Sequence, residues 1–224
     1  MMTYKMPDSC QIRNLTELYD KYFPDYDGVF VDVGAHDGYT FSNTYGLAEA
    51  GWRGVCYEPM PLLCDKCMKL HFTKRHKVLT INSCIGDRVG EVKLYVSSNP
   101  TIDEETVKLS PWDSVYNEHE FIMSYITTLD VSLTQLTIPE KFEVLSIDVE
   151  GAELQVLAGF DIMKWLPRMV IVETHENHPD KRKSFHSDAI SAYFADKPYV
   201  KIQVDGLNTI WIHEDLNTVQ PSSQ

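Results

Sequence analysis

Two groups of residues in this chain of 224 carry side chains from which chemistry could be built. The first is Asp32-Val33-Gly34-Ala35-His36-Asp37-Gly38. Glycines there let the backbone turn sharply and come close to a ligand. Glu58 follows that turn by about 20 residues, the separation at which a carboxylate meets the two hydroxyls of a ribose. Gly34-x-x-x-Gly38 lacks the G-x-G-x-x-G that favours a dinucleotide pyrophosphate, which disfavours a nicotinamide-dependent oxidoreductase. Cys84-Ile85-Gly86-Asp87 is placed to touch an adenine ring. Together these features point to a nucleoside ligand with no required pyrophosphate. The second group is Asp148, Glu150, Glu173, His175 and His178. Carboxylates beside an imidazole suit removal of a proton from a hydroxyl. Asp148 and Glu173, with His175, could instead bind a divalent cation such as Mg²⁺, which acidifies a bound hydroxyl. The plainer reading is that Glu173 and His175 merely cap a strand.

These side chains need strand ends to hold them. Val29 to Val33 is a largely apolar run of strand length, as expected of a strand buried on both faces of a parallel sheet. Thr40 to Ala50 reads as a helix ended by Gly51. Gly54 to Glu58 reads as a second strand, Pro61 to His76 as a helix and Val78 to Cys84 as a third strand. Glu91 to Ser97 reads as an edge strand. Residues 98–125 show no clear period and are expected to form a long substrate loop. Phe142 to Asp148 and Arg168 to Glu173 are further strands, and Gly151 to Ala158 and His186 to Ala195 are helices. Tyr199 to Val204 and Leu207 to His213 flank Asp205-Gly206, a hairpin signal. Ile12, Leu15, Leu18, Tyr19 and Tyr22 are helically spaced within an N-terminal extension, 1–27. Strand and helix alternate about five times. The expected fold is α/β, a doubly wound, mostly parallel seven-stranded sheet with a C-terminal antiparallel hairpin, in one domain over 1–224. Ligands of such sheets bind beyond the carboxyl ends of the strands, where both groups fall.

Apolar residues at 43% and charged residues at 24% exclude a mainly disordered chain, a collagen and a coiled coil. Thirty-three acidic against 20 basic residues give a formal charge of −13, which demotes nucleic acid as a partner. No apolar run approaches the ~20 residues of a membrane-spanning helix, so membrane insertion is not expected. Met1 to Cys10 lacks the regions of a signal peptide. The five cysteines are Cys10, Cys56, Cys64, Cys67 and Cys84. An odd count with no signal peptide fits a reducing, cytoplasmic setting. Cys64-x-x-Cys67 with Cys56 and Cys84 offers four thiols. The second C-x-x-C of a zinc site is absent, however, and the pair falls in an expected helix, where that spacing merely shares a face. Buried structural thiols are therefore expected.

Several segments resemble the FkbM family of S-adenosylmethionine-dependent methyltransferases. They are Val31-Asp32-Val33-Gly34-Ala35-His36-Asp37-Gly38, Tyr57-Glu58-Pro59, Thr128-Leu129-Asp130, Ser146-Ile147-Asp148-Val149-Glu150-Gly151-Ala152-Glu153-Leu154 and the strand end Ile171-Val172-Glu173. The resemblance spans residues 28–175 in consistent order. It implies a Rossmann-like class I methyltransferase fold, S-adenosyl-L-methionine as methyl donor, and transfer to hydroxyls of sugars or polyketide-type metabolites. It assigns Gly34, Ala35, His36, Asp37 and Gly38, after Asp32, to the methionine part of the cofactor. Glu58 and Pro59 fall to the ribose, and Ile85, Gly86 and Asp87 to the adenine. Asp148 would lie near the reacting methyl. The family commonly has Asn in place of His36 and Lys in place of Ser146. Ser42-Asn43-Thr44 opens the next helix, where its polar groups either cap backbone N–H groups or face the cofactor carboxylate.

The resulting expectation is an O-methyltransferase acting on a hydroxyl of a sugar, nucleotide-sugar or glycan. Asp148, His175 and Glu173 are the candidate catalytic residues, and Asp148 and Glu173 the candidate metal ligands. A non-sugar acceptor and a non-catalytic nucleoside-binding module of the same fold are the alternatives. Clustered carboxylates are costly to keep without a use, which argues against the second. Lys181-Arg182-Lys183 reads as a solvated loop, with a phosphate patch as the sharper idea. Trp112, Tyr116, His119, Phe121 and Tyr125 are expected to offer a stacking surface for a sugar ring. Trp52, Trp165 and Trp211 are expected in packing. Oligomeric state is left open.

Overall fold

The computed structural model describes residues 3–25, 27–96, 100–102, 121–176 and 186–217. Its strands are β1 (Val29–Val33), β2 (Arg53–Tyr57), β3 (Lys77–Ile81), β4 (Cys84–Ile85), β5 (Gly90–Tyr95), β6 (Phe121–Thr127), β7 (Val144–Ile147), β8 (Met169–Glu173), β9 (Tyr199–Val204) and β10 (Asn208–His213). Its helices are α1 (Leu15–Tyr22), α2 (Tyr45–Glu49), α3 (Pro61–Lys74), α4 (Leu129–Gln135), α5 (Glu153–Ala158), α6 (Ile162–Trp165), α7 (Ser187–Phe194) and α8 (Glu214–Asn217).

β1 is buried along its whole length because its side chains alternate between two cores. Val29, Val31 and Val33 join one apolar cluster with Leu129, Leu133, Val156, Trp165, Ile190 and Phe194 of the helices. Phe30 joins the other, with Leu15, Tyr19, Leu47 and Cys67. The main sheet has the order β3-β2-β1-β7-β8-β10-β9. β10 runs against both of its neighbours, and the remaining strands point one way. Asp205 closes the β9–β10 hairpin by accepting N–H bonds from Leu207 and Asn208 at 2.8 and 2.7 Å. This is the seven-stranded doubly wound sheet expected, with its antiparallel hairpin.

Four local expectations need correction. The helix after the glycine turn is only Tyr45–Glu49. Asp37 takes the N–H groups of Tyr39 and Thr40, and Phe41 sits at φ 61°, a left-handed conformation that a right-handed helix does not contain. Ser42 Oγ then accepts from Thr44 and Tyr45 N–H. The third strand stops at Ile81, where the Asn82 amide turns to bond the Glu58 and Pro59 carbonyls. Cys84–Ile85 crosses to a separate sheet of order β4-β6-β5, in which Gly90–Tyr95 is the edge strand expected of Glu91 to Ser97. Phe121–Thr127, expected as loop, is the centre of that second sheet and pairs antiparallel with β5. Phe121 and Tyr125, expected in a stacking surface, are exposed there and are not among the residues that line the cavity described below. Trp112, Tyr116, His119, His178 and Lys181-Arg182-Lys183 lie outside the described residues.

Helices α4 and α6, unanticipated from the sequence, are short and capped by side chains. Thr128 Oγ1 accepts from Val131 N–H, and Asp161 accepts from Met163 and Lys164 N–H. Asp130 ties the two together through Asp161 N–H and the Trp165 indole.

Candidate functional site

The carboxyl ends of β1, β2 and β7 meet at one edge of the sheet, and the close packing there explains the glycine turn. Gly34 has φ 90°, and a Cβ on it would lie 1.7 Å from the Asp148 carbonyl oxygen. No side chain fits between these two strand ends. Gly34 and Ala35 donate their N–H groups to the Tyr57 carbonyl, and Asp148 donates its own to Val33. His36 follows at φ 53°, a region that His and Asn enter more readily than most residues.

The His36 N–H reaches Glu58 Oε2 at 2.9 Å, and the Met60 N–H reaches Oε1 at 2.8 Å. Glu58 is buried, and burial pushes its carboxyl up to about 7 although both N–H bonds pull the other way. Asp32, also buried, is pushed up to about 7 for the same reason, against the Thr44 hydroxyl that bonds its Oδ2 at 2.6 Å. In both acids burial outweighs the hydrogen bonds that favour the charged form.

A cavity of about 360 Å³ opens over these residues. Its wall brings together Asp32, Gly34, Ala35, His36, Ser42, Glu58, Pro59, Ile85 and Asp148 of the expected set. Ser42 therefore both caps and lines. Six expected residues are absent from the wall, among them Asp87, which pairs with Arg88 on the surface. Asp37 is spent on the turn. Gly38 backs onto Cys67 and His71 of α3, and Gly86 packs against Ile126 and Gly159. Glu173 stands beside Asp148, and His175 pairs with Glu173.

Asp148 and Glu173 belong to a carboxylate cluster. Oxygens of Asp148, Glu150 and Glu173 lie within 4.8 Å of one another, because β7 and β8 run parallel with Ile147 level with Val172. Burial first, then the charges of Asp148, Glu150 and Glu153, hold the Glu173 carboxyl well above its usual range. Burial also raises Asp148, while Glu173 and Gln11 favour its charged form. His175 Nε2 sits 3.2 Å from Glu173 Oε1. The arrangement can take a proton from a hydroxyl in the cavity onto Asp148, with Glu173 and His175 beside it to adjust the charge.

Some residues of the site gave no signal in the sequence. Gln11 lines the cavity and donates to Asp148 Oδ2 at 2.9 Å. Its Oε1 accepts from the Asn43 and Asn208 amides. Glu153 accepts the N–H groups of Val149 and Gly151, fixing the loop that carries Asp148 and Glu150. Only the Glu153 arrangement had a local cue, a carboxylate at the start of a helix.

The family model of the methyltransferase FkbM domain matches residues 32–200. No curated protein matches the sequence significantly. Among solved structures, a provisionally named caffeoyl-CoA O-methyltransferase from Staphylococcus aureus superposes with a TM-score of 0.53 at 10% identity, over 91% of this chain and 84% of that one. A provisionally named O-methyltransferase from Klebsiella pneumoniae gives 0.50 at 11% identity, over 93% and 83%. At these identities the likeness is one of fold, the Rossmann-like fold of class I methyltransferases.

Proposed function

The chain belongs to the methyltransferase FkbM family, and on that premise we propose that it transfers a methyl group from S-adenosyl-L-methionine to a hydroxyl of a sugar, nucleotide-sugar or glycan. The observation that carries this reading is a single cavity with Glu58 on one wall and Asp148 on another. The residues present fit the cofactor. Glu58 keeps lone pairs for ribose hydroxyls beyond its two N–H bonds. Gly34 and Ala35 leave room for close approach, and Ser83, Cys84 and Ile85 offer a flat, mostly apolar wall for a base. An anionic rim of Asp148 and Glu150 suits a cationic ligand.

Bound there, the cofactor supplies a methyl group on positively charged sulfur. The protein does the rest. Holding an acceptor oxygen in line with that methyl is worth roughly 7–11 kcal/mol of the barrier. Asp148 accepts the hydroxyl proton, a contribution of about 10²–10⁴-fold. Gln11 orients the Asp148 carboxylate, and Glu173 with His175 act through it as positioning residues. Polar wall residues such as Gln11, Thr40 and Asn43 suit a polyhydroxyl acceptor. Residues 1–27, which bring Gln11 to the cavity, and Pro100, Thr101 and Ile102 on its wall are part of the same proposal, as elements of one domain that shape the acceptor side.

A second reading rests on the carboxylate cluster. Asp148 and Glu173, with Glu150, would hold Mg²⁺, which supplies acidification of a bound hydroxyl. Dialysis against EDTA separates the two: unchanged turnover supports proton acceptance by Asp148 alone, and loss restored by Mg²⁺ supports the metal. No helix among the described residues is long and apolar enough to cross a membrane. We assign the protein to the cytoplasm on the strength of its five free thiols.

The test is transfer of label from S-adenosyl-L-methionine to a panel of sugars, nucleotide-sugars, glycans and non-sugar alcohols. Transfer to the carbohydrates supports the proposal. Transfer confined to non-sugar alcohols replaces the acceptor class. Binding of the cofactor with no transfer to any hydroxyl favours a binding module.

A further inference from the structure

Beneath the glycine turn lies a second polar cluster, one that methyl transfer does not use. Cys56 on β2 stands level with Asp32 on β1 and Thr80 on β3. Cys67 and His71, four residues apart on α3 and so on one face of it, come down onto that row. The Cys56 and Cys67 sulfurs and a ring nitrogen of His71 lie within 4.8 Å of one another, and all three residues are buried. His71 is only 3% exposed. Its Nδ1 is engaged with His76 Nδ1 at 2.8 Å, but its Nε2 is buried and makes no hydrogen bond. A buried polar atom without a partner is costly, so it calls for a reason. A Cβ placed on Gly38 would lie 3.0 Å from that Nε2 and 2.9 Å from Cys67 Sγ. The unpartnered nitrogen and the thiol therefore converge on one place under Gly38.

We propose that Cys56, Cys67 and His71 form a binding site for one zinc ion, set beneath Gly38 and separate from the methyl-transfer cavity. Two thiols and an imidazole are the donors that select zinc over Mg²⁺ or Ca²⁺. Zinc holds sulfur at about 2.3 Å and imidazole nitrogen at about 2.0 Å. Donors within 4.8 Å of one another reach a common ion by small side-chain movements. The ion binds the sulfurs as thiolates, releasing any proton still held by the thiols, and the two thiolates cancel its charge, which makes burial of the filled site tolerable. His76 serves as the outer partner that fixes the His71 ring: with Nδ1–H donated to His76, Nε2 presents its lone pair to the metal. The C-x-x-C pair is not the chelating unit, since Cys64 and Cys84 stand outside the cluster. The ligands come from Cys67-x-x-x-His71 on the helix and Cys56 on the strand. The filled site pins α3 to β2 directly under the turn.

The test uses the full chain, purified under reductant, stripped with a chelator and titrated with Co²⁺ and Zn²⁺. The site predicts about one ion bound per chain, and a thiolate-to-cobalt charge-transfer band that zinc abolishes. Cys67→Ser and His71→Ala should each lose the band or weaken binding at least 10-fold, while Cys64→Ser should leave both unchanged. If the cluster variants do not fold, the wild-type titration decides alone. Absence of the band in folded wild-type protein overturns the proposal. So does a band that persists with undiminished affinity in folded Cys67→Ser, or one that disappears in folded Cys64→Ser. These readouts need no cofactor and no turnover, so they stand or fall independently of the methyl-transfer reading.

Discussion

Gln11 Nε2 donates a 2.9 Å hydrogen bond to Asp148 Oδ2 across 137 positions of the sequence. The same side chain accepts from Asn43 after the glycine turn and from Asn208 on β10. One amide thus joins the N-terminal segment, the segment after the glycine turn and the end of the hairpin around the carboxylate proposed to take the proton.

Gln11→Ala should lower kcat about 10-fold to 100-fold while leaving affinity for S-adenosylhomocysteine within about threefold, since losing one hydrogen bond to a charged group costs about 1.5–3 kcal/mol. Steady-state kinetics beside calorimetric titration checks it. An equal loss in both quantities would show that Gln11 only supports the fold.

Asp148→Asn keeps the size of the side chain and removes its basicity. Turnover should fall by about 10²–10⁴ with binding retained. Turnover near the wild-type level would remove Asp148 from proton transfer.

Gly34→Ala forces a Cβ to within 1.7 Å of the Asp148 carbonyl at a residue with φ 90°. Strand ends must separate, so a stability loss of about 4 kcal/mol or more is expected, beyond the usual range for single substitutions. Gly51→Ala has a similar φ of 92° but open space around it, and should cost only about 1–2 kcal/mol, the strain of the backbone alone. Chemical denaturation of the two variants compares them, and similar losses would contradict the packing argument.

Glu58 and Glu153 are each pushed up to about 7 by burial, from an ordinary 4.5. Between those values the folded chain holds protons that the unfolded chain has released. Stability is therefore greatest toward the acidic end of that window and declines as pH rises from about 4.5 to 7. In chelated, ligand-free protein the decline should amount to a few kcal/mol. Glu153→Gln should flatten it. Denaturant midpoints from pH 5 to 8 provide the measurement, and an identical slope in the variant would rule Glu153 out as a source.

Much of the main sheet could be read from the chain because its central strands are continuous apolar runs, and parallel sheets bury both faces of a strand. Asp32, Glu58 and Asp148 stood out for the same reason: each lies at or next to the carboxyl end of such a run, where ligands gather. Strand β6 was not, because its mixed pattern acquires meaning only when it pairs with β5 across residues 96–120. The segment Thr40–Thr44 misled because the competing side-chain bonds of Asp37 and Ser42 hold it out of a helix. Gln11 and His71 carry no local signature at all. Each is defined by neighbours that packing of α1 and α3 on the sheet brings to it.

The central claim is that Glu58 and Asp148 face one cofactor. It is tested most directly by calorimetric titration of S-adenosylhomocysteine into wild-type protein and Glu58→Gln at pH 8. The ionised carboxylate should bind the ribose hydroxyls there, and its loss should weaken affinity by about 10-fold to 100-fold, as for hydrogen bonds to a charged group. No binding to the wild type, or equal affinity for both proteins, would contradict the account.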